Sequence, residues 1–221
     1  MKNYDECSSL CNICNNLNLD IQNNSHLSFS WRLIKKYKYF IAASSLGQIV
    51  DGYSILWPVK HINCLQHLSC EEILELKICV DELITSINKA YNMPVVIFEH
   101  GLVTGSLEVG CGVNHAHLHV APFLVKDVFY EKMNSYLKLE SGYVSIFDFY
   151  SSDNKINNDY VLISNNNEDC LIYSYNGKRT SQVIRKIIAE LSGNLEKWDW
   201  KDDFNYLKVK NTAEKISHFY L

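Results

Sequence analysis

The sequence predicts an α+β protein: an antiparallel β-sheet with one long helix and a C-terminal extension of strands and helices. Three observations carry this expectation. Two apolar runs, residues 37–43 and 53–58, flank the Asp51-Gly52 turn and read as strands. A helical period then starts at Ser69-Cys70-Glu71-Glu72 and reaches about Tyr91, with Ile73, Leu76, Ile78, Leu83 and Ile87 broadly at helical spacing. A buried-looking strand at residues 94–99 finds its antiparallel partner in residues 115–121.

The other elements follow in order. Residues 100–114 form a loop punctuated by Gly101, Gly105, Gly110 and Gly112. Glycine lacks the Cβ that keeps a backbone N–H away from an anion, so this loop is a candidate phosphate cradle. Strands are expected near residues 143–149, 161–163 and 171–175, then a helix over 180–191 with Gly193 as its C-cap. Trp198-Asp199-Trp200 and a final short helix near 212–219 complete the chain, and the Asn-rich stretches 22–25 and 165–167 read as loops.

At 221 residues, one compact domain, or one with an appended lobe, can bury a sizeable core. The 47% hydrophobic and 21% charged composition describes a soluble globular protein. A net charge of −4 leaves no extended basic surface for nucleic acid or a membrane. Basic groups gather only at Lys35-Lys36-Tyr37-Lys38 and at Lys178-Arg179 with Arg185-Lys186, as solvated faces or phosphate contacts. The opening residues are polar, no apolar signal-peptide core follows, and no stretch approaches the ~20 apolar residues of a membrane span, so a cytoplasmic protein is expected. Eight cysteines in a reducing compartment point to burial or metal binding rather than disulfides. Cys64, Cys70, Cys79, Cys111 and Cys170 are scattered, whereas Cys7, Cys11 and Cys14 are bunched.

The densest chemistry lies in Val113-Asn114-His115-Ala116-His117-Leu118-His119-Val120-Ala121. On a strand, residues two apart share a face, so the histidines form one row with ~6–7 Å between successive Cα atoms. Ala116, Leu118 and Val120 then face the core. Such a row suits nucleophilic attack, proton transfer or metal binding; hydrogen-bonded structural histidines are the plainer reading. Joint binding of one hydrolytic metal by all three is disfavoured, because no carboxylate follows and the flanks are apolar.

The pattern His115-Ala-His117-Leu-His119-Val-Ala resembles the signature of the histidine triad (HIT) superfamily of nucleotide hydrolases and transferases. Tyr53-Ser-Ile-Leu-Trp-Pro58-Val-Lys-His61 is similar to that family's strand ending in Pro-x-x-His, followed as in the family by a helix, a strand, a glycine-containing loop and the triad. The resemblance covers residues 7–123. It implies a HIT-like catalytic core at residues 1–125 and an extension at 126–221 packed on it. His117 would be the nucleophile on a nucleotide α-phosphate, with His119 contacting the phosphate or assisting the leaving group. Backbone N–H groups of residues 110–114, including Gly112, would hold developing charge. The implied activity is hydrolysis through a nucleotidyl-histidine. The alternatives are transfer to another acceptor, a nucleotide-binding regulator without turnover, or a zinc-dependent interaction domain.

The same resemblance implies a structural zinc held by Cys11, Cys14, His61 and His115, a set that suits tetrahedral coordination. Free buried thiols are the alternative, and Cys7 could replace one ligand. Three departures concern the substrate. Gly110-Cys111-Gly112-Val113 lacks the family's phosphate-contacting hydroxyl, leaving Asn114 or Ser106 to take over. Glu99 replaces an asparagine, and its carboxylate could meet ribose hydroxyls or a cation. Asp51-Gly52 stands where some members have Gly-His. In the extension, Arg179, Gln182 and Arg185 have i, i+3, i+6 spacing and could share a helix face as a second phosphate or carboxylate site. Surface salt bridges with Trp packing are the alternative there. Homodimerisation through the helix and an edge strand is also what the resemblance implies.

Overall fold

A computed structural model describes residues 11–16, 28–105, 113–176, 180–202 and 204–220. Its centre is one antiparallel sheet. The strands are β1 (Leu33–Lys36), β2 (Phe40–Ser44), β3 (Ser54–Pro58), β4 (Val95–Gly101), β5 (Leu118–Pro122), β6 (Leu137–Tyr143), β7 (Tyr160–Asn165) and β8 (Cys170–Tyr175), in spatial order β1-β2-β3-β5-β4-β7-β8-β6. Strands β2, β3, β4 and β5 are buried along their whole length. Both faces are covered, as near-continuous apolar strands require.

The helices are α1 (Asn12–Asn16), α2 (Cys70–Tyr91), α3 (Asp127–Tyr136), α4 (Ile146–Ser151), α5 (Val183–Leu191) and α6 (Tyr206–Ser217). Helix α2 starts with a reciprocal capping box. The Glu72 N–H donates to Ser69 Oγ and the Ser69 N–H donates to the Glu72 carboxylate. Asn92 ends it in the left-handed region at φ 50°. Its Leu76, Val80, Leu83 and Ile87 pack with α4 and α6 on the rear of the sheet, against Leu56, Ile97, Leu118 and Leu162. Ile78, expected in the same apolar stripe, points to solvent at 55% exposure. The front of the sheet is covered by α3 and α5 on its β4–β7–β8 side, and by the α1 segment near β2 and β3.

Several expectations change. Residues 37–43 are not one strand but the turn and second arm of the β1–β2 hairpin, closed by Tyr37 N–H donating to Phe40 O at 2.8 Å. The strand expected near 143–149 is helix α4, because Ile146, Phe149 and Tyr150 bury at i, i+3, i+4 spacing after an N-capping Ser145. The helix expected from 180 starts at Val183, since Gln182 before it has φ 56°. The last helix is longer and earlier, Tyr206–Ser217. The triad strand begins at Leu118 rather than His115: β3 ends at Pro58, so Ala116 N–H turns to Ile62 O at 2.7 Å.

Residue 125 marks no break in the sheet. Strand β7 pairs with β4 over six residue pairs, so residues 126–221 continue the sheet instead of sitting on it as a lobe. The outer edge of β4 is thereby closed and cannot serve as a dimer edge. Among the described residues, no helix is long and apolar enough to cross a membrane.

Candidate active site

Register places His119 on the front face, and His117, just ahead of the strand, lines the same cavity. Both Ile55 and Phe98 pair with His119, while Ala116, Leu118 and Val120 enter the rear core as expected. Each of the last two histidines lies against an aromatic ring. His117 stacks on Trp57 at 4.4 Å between centroids, and His119 stacks on Phe98 at 4.3 Å with planes 12° apart. The two imidazoles stand 4.5 Å from each other. All three triad residues are buried.

Hydrogen bonding fixes where the protons reside. His117 Nδ1 lies 2.8 Å from the His115 carbonyl oxygen, which can only accept, so Nδ1 carries the hydrogen. Burial holds the ring's pKa down at about 4, with the Arg185 charge adding to the effect, so the ring is neutral near pH 7. A neutral imidazole protonated at Nδ1 has its lone pair at Nε2. His119 Nδ1 meets the Tyr53 hydroxyl at 2.8 Å.

The two rings floor a cavity of about 40 Å³, walled by Trp57, Leu46, Ile13 and Trp200. At roughly 10–15 Å³ per water, that holds about three water-sized groups. Arg32 and Arg185 also line it, and no carboxylate does among the described residues. Arg185 is 1% exposed, so the surface salt-bridge reading fails. Its Nε donates to Trp198 O and its Nη2 to Gly47 O, each at 2.9 Å, and its Cζ lies 5.2 Å from the Tyr53 ring centroid.

Beside the cavity, the donor atoms of Cys11, Cys14, His61 and His115 lie within 4.8 Å of one another. Cys14 Sγ is 3.3 Å from His61 Nδ1 and 3.5 Å from His115 Nδ1, and Cys11 Sγ is 3.7 Å from His115 Nδ1. A tetrahedron with Zn–S of about 2.3 Å and Zn–N of about 2.0–2.1 Å has S···N edges of about 3.6 Å. The spacing therefore fits zinc. The tautomer fits as well: His115 Nε2 donates to Pro58 O at 2.8 Å, which leaves Nδ1 as the ligand atom.

The remaining expected residues divide. Glu99 lies behind the sheet, one residue past Phe98 and therefore on the opposite face. Its carboxylate accepts from Leu65 N–H at 2.6 Å, Tyr150 O–H at 2.9 Å and Tyr160 O–H at 2.7 Å, and it does not reach the cavity. Asn114 adjoins the triad with a buried Oδ1 lacking a hydrogen-bond partner, but it does not line the cavity. Gln182 is the left-handed residue before α5 and donates to Asp199 at 3.3 Å. It therefore does not share a helix face with Arg185. Cys7, Ser106, Gly112 and Arg179, with Gly110 and Cys111, lie outside the described residues. Arg32, Tyr53, Trp57 and Trp200 were not expected at the site. Alternation in Tyr53-Ser-Ile-Leu-Trp57 was the available signal, but alternation alone does not say which face is which.

No family model matches the sequence, and no curated protein matches it significantly. Several solved structures are similar to parts of the chain. A HIT family protein from Bacillus subtilis aligns with 51% of this chain and 72% of its own at 16% identity and a TM-score of 0.41. A zinc-bound histidine triad family protein from Mycobacterium smegmatis aligns with 54% of this chain and 79% of its own, at 16% identity and a TM-score of 0.41. A hypothetical histidine triad nucleotide-binding protein from Sulfolobus tokodaii aligns with 84% of this chain and 94% of its own, at 15% identity and a TM-score of 0.40.

Proposed function

We propose that this protein binds a nucleotide and hydrolyses it at the α-phosphate through a covalent intermediate on His117. The observation that carries the reading is the His117 Nδ1–H bond to the His115 carbonyl, which leaves Nε2 as an unprotonated nucleophile in the cavity. In the first step a Nε2–P bond forms and the P–O bond to the leaving group breaks. The leaving oxygen keeps the electron pair and takes the Nε2 proton of His119, whose Nδ1 takes the Tyr53 hydroxyl proton in the same step. The Tyr53 hydroxyl lies 2.8 Å from His119 Nδ1, within reach for that transfer. In the second step water attacks phosphorus and gives a proton to His119 Nε2, the Nδ1 proton returns to Tyr53, and the Nε2–P bond breaks. Transfer to a different acceptor shares the first step. Glu99, whose carboxylate was expected to meet ribose hydroxyls or a cation, faces the other side of the sheet and takes no part in these steps.

Zinc bound by Cys11, Cys14, His61 and His115 would supply a structural tether. It would hold the backbone carbonyl of His115 where His117 Nδ1 needs it. The test is incubation with a panel of α-³²P-labelled nucleotides and detection of an acid-labile adduct. An adduct on wild type that is absent in His117→Ala is expected; full turnover by His117→Ala would overturn the reading.

A further inference from the structure

We propose that Trp57 is a substrate-binding residue whose indole Nε1–H donates to an oxygen of the phosphoryl group attacked by His117. The proposal rests on the catalytic reading above and adds a neutral donor beside the nucleophile. Strand register puts the indole there. Ile55 pairs with His119 and Leu56 with Leu118, so Trp57, the next residue of β3, comes opposite His117. Side chains alternate along a strand, and Trp57 therefore lies on the front face with Ile55. Its ring stacks on His117, with centroids 4.4 Å and planes 24° apart, and it walls the cavity that His117 floors.

The second observation is the indole nitrogen itself. Trp57 is 4% exposed, and its Nε1 is buried with no hydrogen-bond partner among the described residues. An indole N–H is a donor only, so no tautomer lets it accept instead. Leaving it unmet costs the free energy of its desolvation, and such groups are few in folded proteins. The packing around the ring does not need the nitrogen. Phe29 and His115 meet the indole edge-on, each with centroids 5.8 Å away, and Ile41, Ala43 and Ile55 join it in an apolar cluster. A hydrocarbon ring would meet these neighbours without burying a polar group. An acceptor that arrives with a ligand accounts for the nitrogen.

The rest of the lining indicates which ligand. Ser45, a second neutral donor there, already gives its O–H to Leu46 O at 3.0 Å. Arg185 gives Nε and Nη2 to Trp198 O and Gly47 O. The cavity of about 40 Å³ suits the oxygens of one phosphoryl group. Phosphoryl transfer spreads charge over those oxygens, and a fixed donor in a water-poor cavity stabilises it without reorganising. The indole, held between the His117 ring and the apolar cluster, keeps its N–H in one direction.

The probe is inorganic phosphate, read at the indole N–H resonances of protein labelled with nitrogen-15. The chain has four tryptophans, and Trp57→Phe assigns the peak of Trp57. Phosphate should move that peak downfield, and chloride at equal ionic strength should leave it in place. Trp57→Phe should weaken phosphate binding, measured by calorimetry, about tenfold. It should also slow adduct formation on His117 by on the order of tenfold or more, mainly through kcat. Trp57→3-benzothienylalanine replaces the N–H by sulfur and keeps the ring shape, which separates the hydrogen bond from lost packing. It should reproduce both losses while the ligand-free protein unfolds at a denaturant midpoint no lower than that of wild type. A Trp57 peak that phosphate leaves in place, or a lower midpoint for the isostere, overturns the assignment. Adduct formation that neither replacement slows also overturns it and leaves the catalysis standing. A shifted peak with no adduct on wild type overturns the catalytic reading and leaves Trp57 as an oxyanion contact.

Discussion

His117 and His119 sit side by side, yet their hydrogen-bond partners differ in kind. A carbonyl can only accept, so it leaves the His117 lone pair at Nε2; a phenol can donate or accept, so Tyr53 can set which His119 nitrogen carries the proton, and the proposed mechanism uses both features. Tyr53→Phe keeps the ring but removes that donor. It should slow adduct formation about tenfold with poor leaving groups and much less with activated ones. Equal slowing across a leaving-group series would remove Tyr53 from the mechanism. The histidine row was legible because a period of two is indifferent to which face is buried. Glu99 was misplaced for the same reason: nothing in residues 94–99 said that Phe98, rather than Glu99, would meet His119.

Behind the sheet, burial pushes the Glu99 carboxyl up to about 7, against hydrogen bonds from Leu65, Tyr160 and Tyr150 that favour the charged form. The folded-state value is raised above the unfolded one, so its contribution is fully present below about pH 4.5 and is lost as pH rises through 7. Glu99→Gln removes this dependence. Between pH 4.5 and 7 wild type should lose on the order of 3 kcal/mol relative to the variant. Denaturant titrations of both proteins across that range check it; parallel stability profiles contradict it.

Among the elements, α1 couples two functions in five residues. Cys14 is a zinc ligand candidate on it and Cys11 directly precedes it, while Ile13 between them walls the cavity. Cys14→Ser should cut zinc stoichiometry measured by elemental analysis and weaken phosphate binding by releasing the Ile13 wall. Unchanged zinc content would take Cys14 out of the site. Helix α2 was legible because its start is local chemistry, a serine and a glutamate three apart. Helix α4 was not, since Val144, Ile146 and Phe149 suit a short strand as well as one helical turn, and only packing decides.

At the scale of the whole molecule, the C-terminal residues complete both the sheet and the site. Strand β7 closes the edge of β4, and α5 with the segment after it brings Arg185 and Trp200 over the histidines. The antiparallel core and the gathering of Cys11, Cys14, His61 and His115 were legible because motif order constrains neighbours in space. The closure by residues 126–221 was not, since pairing between β4 and β7 leaves no local mark in either strand.

The central claim is that His117 attacks through Nε2. Trapping wild type with substrate and locating the phosphorus–nitrogen bond by NMR of the denatured adduct tests it directly. Attachment at Nε2 of His117 is the expected result; attachment at Nδ1, or on any other residue, contradicts the account.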